Sequence, residues 1–272
     1  MANEAHYSQI ISHVFAKHYK RRAKEVIFQR EEIVEAAEEL GLPRPKNVGD
    51  VVYSFRFRKA FPESIKRTAP EGLEWILRKA GSSRYRFVLS KQWSVVPDPH
   101  RSVIKVPDAT PGIIAKYALT DEQSLLAKLR YNRLVDIFSG ITCYSLQSHL
   151  RTSVAGMGGV ETDELYVGVD RQGVHYVMPV QAKGGRDHLS VVQIEQDMAL
   201  CAEKFPLLVC RPIAAQFMRE DVIALFEFEL SDEQVAVRDE KHYRLVLPED
   251  LSAEELARYQ RAAVPSVTLS TR

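Results

Sequence analysis

Two apolar segments near the middle of the chain constrain its fold more than any other feature. They read VETDELYVGVD, residues 160–170, and YVMPVQAKGG, residues 176–185. Strands that are buried on both faces are almost entirely apolar, so these segments predict neighbouring strands in the interior of a sheet. Helical patterns lie on either side of them along the chain. This order predicts an α/β (α+β) fold with a mixed sheet flanked by helices.

Acidic, amide and lysine side chains interrupt these two segments. Asp163 stands at the start of the first strand, and Glu161 and Glu164 are equally placed acids beside it. Gln181 and Lys183 end the second strand and share a face, because side chains two residues apart point to the same side. Such groups are costly to bury unless they pair with one another or bind a metal ion.

An acid and an amide at the ends of adjacent strands supply the hard oxygen ligands that Mg²⁺ prefers. Asp163 and Gln181, with Glu164 as a further acid, are therefore candidate metal ligands, and Mn²⁺ is expected to substitute for Mg²⁺. Lys183 would position a water molecule and stabilise charge on a phosphate under in-line attack. The alternative is an ion pair between Lys183 and Asp163 without any chemistry.

The arrangement of these residues resembles the PD-(D/E)XK nuclease superfamily. TDELYVGVD is followed, eighteen residues after Asp163, by QAK, and the similarity covers residues 120–228. The resemblance implies that Asp163 and Gln181 bind the metal ion and that Lys183 is the catalytic lysine. The chain departs from the superfamily pattern at Thr162, where proline is usual, and at Gln181, where an acid is usual.

The first part of the chain predicts a winged-helix DNA-binding domain over residues 1–93. Three helical patterns precede two alternating strands, at residues 7–19, 30–40, 47–60, 73–79 and 84–90. The third helix would enter the major groove, and the strand hairpin would be the wing beside the phosphates. Basic side chains expected to contact DNA, in this domain and after the second central strand, are Arg56, Arg58, Lys59, Arg78, Arg84, Arg86 and Arg186.

Charge is distributed unevenly along the chain, although the net charge is +1. Residues 1–100 hold 18 Lys/Arg and 12 Asp/Glu, whereas residues 161–272 hold 12 and 20. A basic first part indicates contact with a polyanion, and ordinary solvated surface is the alternative.

A proline-containing linker, residues 94–111, is predicted before a nuclease domain at residues 112–272. In that domain a long helix is expected to begin at Thr120, which can form a capping box with Gln123. Residues 142–152 suggest a second helical stretch. Further helices are expected at residues 189–205, with Gln193, Gln196 and Asp197 on one face, and at residues 252–262, with Ser252 and Glu255 as a capping box.

These features predict a Mg²⁺-dependent, sequence-specific endonuclease that hydrolyses phosphodiester bonds in duplex DNA, similar to a bacterial type II restriction enzyme. Cutting two strands favours a homodimer with two sites. Two alternatives stay open. One is a DNA-binding regulator with a degenerate nuclease domain, which the neutral Gln181 favours, and the other is a structure-specific repair or recombination nuclease.

The cellular context is predicted from features that the sequence lacks. Nothing resembles a signal peptide, and no apolar run has the length of a membrane span, so no membrane contact is expected. The three cysteines are scattered, which suits a reducing cytoplasm. The glycine-containing loop before Asp163 lacks the ending of a nucleotide-binding loop, and no organic cofactor is predicted.

Overall fold

The computed structural model describes residues 2–117, 122–185, 187–232 and 234–263. Residues 2–90 are called the front module here. Its elements are α1 (Ala2–His18), β1 (Glu25–Gln29), α2 (Glu32–Glu39), α3 (Val48–Tyr53), a π-helical segment (Ser54–Arg58), α4 (Glu63–Lys66), β2 (Glu74–Lys79) and β3 (Arg84–Ser90). The strands form an antiparallel sheet in the order β1-β3-β2.

The third predicted helix is capped by the residue that the sequence suggested. Asn47 Oδ1 accepts a hydrogen bond of 2.9 Å from the Gly49 N–H, which satisfies a free donor of the first turn. After α3 the helix widens into the π-helical segment. Phe55 of that segment and Phe87 of β3 are buried in one apolar core. Neither β1 nor α4 was predicted.

The described residues from 94 to 263 are called the rear module. Its elements are β4 (Ser94–Val95), β5 (Val103–Pro107), α5 (Gly112–Tyr117), α6 (Glu122–Tyr131), α7 (Leu134–Ser139), β6 (Thr142–Val154), β7 (Gly158–Val169), β8 (His175–Lys183), β9 (Leu189–Ser190), α8 (Val191–Lys204), β10 (Val209–Cys210), β11 (Ile213–Phe217), β12 (Val222–Ser231), β13 (Gln234–Val246) and α9 (Ala253–Ala263). Short 3₁₀ turns lie at Arg219–Asp221 and Pro248–Asp250.

The rear module is built on a mixed sheet that has eight strands in the described part of the chain. The order is β5-β13-β12-β11-β8-β7-β6, and β10 also pairs with β8. β8 is parallel to β11 and antiparallel to β7. Leu125 of α6 and Leu134 of α7 pack on one face, and Ile194 and Leu200 of α8 pack on the other. The predicted mixed sheet flanked by helices is confirmed.

Residues 142–152 were expected to be helical, and this prediction is wrong. They belong to β6, which forms a long antiparallel hairpin with β7. β6 is the last strand of the sheet among the described residues, and most of its side chains are exposed. A polar edge strand has no apolar alternation by which to recognise it. Its pairing with β7 decides its conformation.

The long helix expected from Thr120 onward is divided into α6 and α7. Thr120 lies outside the described residues, and so does its predicted capping box with Gln123. The break occurs at Arg133, whose φ of 49° is left-handed. The side chain of the preceding residue, Asn132, contacts the segment that precedes α5. Its Oδ1 accepts a hydrogen bond of 2.6 Å from the Ala109 N–H. This contact ties the break to a distant segment.

The proline-containing segment at residues 94–111 is held to the rest of the rear module at two points. β4 pairs with β9, and β5 pairs with β13 as an outer strand of the large sheet. The segment therefore carries secondary structure that was not expected of a linker, and β13 was not predicted either. Among the helices that the structure describes, none has the length and apolar character needed to cross a membrane.

The front module packs against α8 of the rear module. Arg78 of β2 donates a hydrogen bond of 2.8 Å from its Nε to Glu195 of α8. Ser190, which caps α8, donates from its hydroxyl to the Arg56 carbonyl at 2.7 Å. Ile76 of β2 is buried among apolar residues of α8. These contacts bring the π-helical segment next to the end of β8.

Candidate active site

Asp163, Gln181 and Lys183 lie on the face of the sheet that α8 covers. Leu165 of β7 and Val177 of β8 pack against α8. Side chains two residues apart along a strand share a face. The three polar residues are separated from these apolar ones by even numbers of residues, and they continue the same face towards the strand ends.

Asp163 lies where β7 begins to separate from β8. The paired register of the two strands ends at Glu164 and Val180. Beyond that pair, Asp163 Oδ2 accepts a hydrogen bond of 2.8 Å from the Ala182 N–H, so the side chain takes the place of a backbone acceptor. This bond fixes the carboxylate at the mouth of the opening between the strands.

A cleft of 720 Å³ collects these residues with others from both modules. β7, β8 and α8 contribute most of the rear-module side chains, and the π-helical segment contributes those of the front module. The lining side chains with ionisable or amide groups include Arg56, Arg58, Glu122, His149, Arg151, Glu161, Asp163, Gln181, Lys183, Asp187, Gln193 and Gln196. The cleft therefore contains residues from both the predicted winged-helix domain and the predicted nuclease domain.

Lys183 lies between two carboxylates in this cleft. Its Nζ is 4.0 Å from Asp163 Oδ2 and 3.8 Å from Oε1 of Glu122, which begins α6. Burial raises the pKa of Glu122, and the positive charge of Lys183 opposes that rise. The Lys183 side chain is 11% exposed, so its ammonium group can still donate a hydrogen bond to a water molecule or an anion that enters.

Gln181 is oriented by two hydrogen-bond acceptors. Its Nε2 donates to Asp197 Oδ2 at 2.9 Å and to the Glu161 carbonyl at 3.1 Å. Because the amide nitrogen points at these two acceptors, the amide oxygen points away from them. Gln193, also in the cleft, donates to that oxygen over a longer distance of 3.3 Å. The Gln181 oxygen has a second lone pair, and it is thus the part of the side chain that could bind a ligand.

Asp197 of α8 is wholly buried beside the Gln181 amide. Burial raises the pKa of Asp197 to about 8, against the opposing effect of the hydrogen bond from Gln181. An aspartate in the unfolded chain titrates at about 3.9. Between these two values the folded state binds a proton that the unfolded state has lost, so folding becomes less favourable as the pH rises.

We expect Asp197→Asn to remove this pH dependence. In the wild-type protein the raised pKa of Asp197 should lower the free energy of unfolding by up to about 1.4 kcal/mol per pH unit between about pH 4 and pH 8. Asparagine cannot titrate, so the variant should gain stability relative to the wild type as the pH rises. Urea unfolding of both proteins across this range measures the difference, and parallel curves would contradict the prediction.

Several polar atoms around the cleft lack partners. Gln193 Oε1, Gln196 Nε2 and Asp197 Oδ1 are buried without a hydrogen-bond partner in the described part of the chain. Buried polar atoms are almost always satisfied, so these atoms indicate a site that water, an ion or a substrate completes. No cage of three or more His, Cys, Asp or Glu side chains is found among the described residues. Mg²⁺ needs no such cage, because it keeps several waters and binds through one or two carboxylates, and Asp163 with Gln181 suits it.

The other two candidate acids have different partners. Glu164 is turned to the opposite face of the sheet, where it is completely buried. There it accepts hydrogen bonds from Arg130 Nη2 at 2.7 Å and from Ser145 Oγ at 2.6 Å. Glu161 lines the cleft but forms an ion pair of 2.9 Å with Arg151. Of the three acids that the sequence offered, Asp163 is therefore the one next to the lysine.

The basic residues predicted on the third helix do not share one environment. Arg56 and Arg58 line the cleft. Arg56 is half-buried, and burial lowers its pKa. Lys59 lies over the Phe55 ring, with its Nζ 4.7 Å from the ring centroid. Arg186, predicted beyond the second central strand, lies outside the described residues. Arg56 and Arg58 are thus the two of these side chains that point towards the catalytic candidates.

The basic residues predicted on the hairpin also differ in their partners. Arg78 forms the ion pair with Glu195 that joins the two modules. Arg86 pairs with Glu25 of β1 at 3.0 Å. Arg84 is exposed at the start of β3, next to the turn of the hairpin. Of the three, Arg84 is the one that solvent surrounds and that a phosphate could approach directly.

Some residues of the cleft were not predicted from the sequence. Tyr53, Glu122 and Asp187 reach it from α3, from α6 and from the loop after β8. No local spacing marks Tyr53 and Glu122, because they share the cleft with Lys183 only after the chain has folded. Asp187 lies in the turn four residues after Lys183, where no pattern singles it out. Asp197 could be recognised from the sequence, since it belongs to the polar face that the sequence indicates on α8.

Comparison of the chain with models of protein families, with curated proteins and with solved structures finds no match. The chemistry of the cleft is therefore the basis for assigning a function.

Proposed function

We propose that this protein is a Mg²⁺-dependent DNA endonuclease of the PD-(D/E)XK type. The observation that carries the proposal is the convergence of Asp163, Gln181 and Lys183 in one cleft with Arg56 and Arg58. The first three supply an acid, an amide oxygen and a buried ammonium group. The arginines add positive charge for a polyanionic substrate.

Asp163 and Gln181 would hold the metal ion through a carboxylate and an amide oxygen. A bound Mg²⁺ would polarise the scissile phosphate and neutralise the charge that develops on it. The unpartnered atoms of Gln193 and Asp197 support a site that is completed by an added ligand. Gln181 would be a neutral ligand. The hydrogen bond from its amide nitrogen to Asp197 leaves its oxygen available to the metal ion, and the amide adds no second negative charge beside Asp163.

The chain's own residues would bind and orient the phosphate. Lys183, held between Asp163 and Glu122, would donate hydrogen bonds to a phosphate oxygen or to the attacking water. Arg58 is exposed in the cleft and would contact a neighbouring phosphate through its planar guanidinium group. Positioning and charge stabilisation of this kind account for most of the catalysis of phosphate chemistry.

The front module is proposed to be a winged-helix domain that selects the DNA. Its order of helices followed by a β2–β3 hairpin supports this assignment. Arg84 would contact phosphate at the wing. Two active sites can cut both strands of a duplex in one binding event, so we expect the protein to act as a homodimer in the cytoplasm.

Cleavage of plasmid DNA tests the proposal. Duplex DNA should be cut in the presence of Mg²⁺ or Mn²⁺ and remain intact in excess chelator, because the charge on the phosphate is then not neutralised. Lys183→Ala should lose cleavage. Lys241→Ala, which changes an exposed lysine of β13 away from the cleft, is the matched control and should cut normally.

Two results would redirect the assignment. Cleavage that continues undiminished in chelator would contradict the metal-dependent mechanism. Binding of DNA without cleavage under any metal would favour a DNA-binding regulator instead, which is the function that the neutral Gln181 suggests.

A further inference from the structure

Aromatic and arginine side chains of the front module form one part of the cleft wall. Tyr53 and Phe57 are in edge contact, with ring centroids 5.0 Å apart. Arg58 lies over the Tyr53 ring at 4.9 Å, and Arg56 lies over the Phe57 ring at 4.6 Å. Tyr53 is nevertheless 45% exposed, so part of its ring remains open to the cleft.

The volume of the cleft limits what can enter it. Pockets of about 300–1,000 Å³ enclose ligands of the size of a drug molecule. At 720 Å³ this cleft can hold roughly one or two nucleotides, but it cannot enclose a base-paired duplex. Lys183 is 11% exposed, so a phosphate reaches it only by entering the cleft. The exposed ring of Tyr53, which lines the same cleft, offers a surface for the base attached to that phosphate.

We infer that the DNA strand to be cut enters this cleft unpaired, with a base stacked on Tyr53 and its phosphates contacted by Arg56 and Arg58. The inference rests on the proposed function, and it names the form of DNA that the site takes. Proteins bind unpaired nucleotides without regard to sequence through exposed aromatic rings beside basic side chains. Among the residues that line the cleft, those of the front module supply both and include no acid. Enzymes that act on a nucleotide inside a duplex commonly move it out of the stack into such a pocket.

The Tyr53 ring can stack on purines and on pyrimidines alike. Tyr53 offers a flat ring, and every base has a flat face to place against it. The π-helical turn that follows α3 lets Tyr53, Phe57 and Arg58 reach the same cleft from consecutive turns. The wall is joined to the rear module by the hydrogen bond from Ser190 to the Arg56 carbonyl, so it stays in place beside Lys183.

The test compares two DNA duplexes without any divalent metal, so that neither is cut. One is fully paired, and the other has a central run of mismatched thymines in the same flanking sequence. The wild-type protein should bind the mismatched duplex more tightly, because less energy is needed to unpair its bases. Fluorescence anisotropy should give a preference of about 5- to 150-fold, the range expected from stacking of one base.

Three variants test whether the preference for mismatched DNA arises in the cleft. Tyr53→Leu should remove it, and Tyr53→Phe, which keeps the ring, should retain it. Tyr144→Leu changes an exposed tyrosine of β6 that does not line the cleft, and it should bind like the wild type. Equal binding of both duplexes by the wild type, or an unchanged preference in Tyr53→Leu, would overturn the inference.

Cleavage assays on the same proteins separate this inference from the proposed function. A protein that prefers mismatched DNA through Tyr53 but never cuts with Mg²⁺ would refute the nuclease and leave the binding site standing. A protein that cuts duplex DNA but shows no dependence on Tyr53 would refute the unpaired-strand site and leave the nuclease standing.

Discussion

Asp163→Asn should abolish DNA cleavage while leaving the fold and DNA binding intact. Asparagine keeps an oxygen that can accept the hydrogen bond from the Ala182 N–H, so the end of β7 should stay in place. The substitution removes the negative charge that a metal ion needs at this position. We expect cleavage to fall by at least about 10²–10³-fold, as when one group that stabilises charge in the transition state is lost.

DNA binding should not weaken in this variant, because one negative charge fewer cannot reduce the attraction to phosphate. Plasmid cleavage and anisotropy on the same preparation measure both properties. Normal cleavage by Asp163→Asn would show that another acid of the cleft, such as Glu161, holds the metal ion.

Glu164→Gln is the matched control on the neighbouring position. Glu164 is buried on the opposite face of the sheet and accepts hydrogen bonds from Arg130 and Ser145. Weakening that contact should lower the free energy of unfolding by about 1–3 kcal/mol. The partial exposure of Arg130 should keep the loss near the lower end. The folded fraction should cut DNA at the normal rate, which is the reverse of the result for Asp163→Asn.

Exchange of the amide and acid between Gln181 and Asp197 should show that the two side chains act as a pair. Gln181→Glu alone places a second carboxylate against Asp197 Oδ2, where the wild-type amide donates at 2.9 Å. Two carboxylates in a buried contact cannot both be ionised, so above about pH 8, where Asp197 of the wild type loses its proton, this variant should be destabilised. Adding Asp197→Asn restores one donor and one acid to the contact, and stability should return.

A double-mutant cycle measures this coupling. The four proteins are unfolded in urea above about pH 8, where Asp197 is ionised in the wild type. We expect an interaction free energy of about 0.5–3 kcal/mol, the range for groups in direct contact. The hydrogen bond from Gln181 to the Glu161 carbonyl is lost in both proteins that carry the Gln181→Glu substitution, so this loss cancels from the cycle. Additive effects of the two substitutions would show that Asp197 does not orient Gln181.

Local patterns in the sequence predicted the elements that carry the candidate site. β7 and β8 appear where apolar strands were expected, and Asp163, Gln181 and Lys183 share the cleft that their spacing on the strands suggested. Capping residues were also recognisable, because a cap is a contact between near neighbours. Ser252 and Glu255 exchange hydrogen bonds of 3.2 and 3.1 Å at the start of α9, which confirms the predicted capping box.

Elements defined by distant partners were missed. β6 has too little apolar alternation to be distinguished from a polar helix, and its conformation depends on β7. β5 lies in a segment full of prolines and becomes a strand because β13 pairs with it. In each case the hydrogen bonds that define the strand come from residues outside the local segment, and a local pattern does not contain them.

The sequence by itself determined the central strands and the polar face on them, because a period of two along a strand is a local property. Only the tertiary structure decided which charges meet in the cleft. It turned Glu164 to Arg130, joined Arg78 to Glu195, and brought Glu122 and Tyr53 to Lys183. Those contacts depend on how helices from both modules pack against the sheet, and that packing is set by the shape and burial of many side chains together.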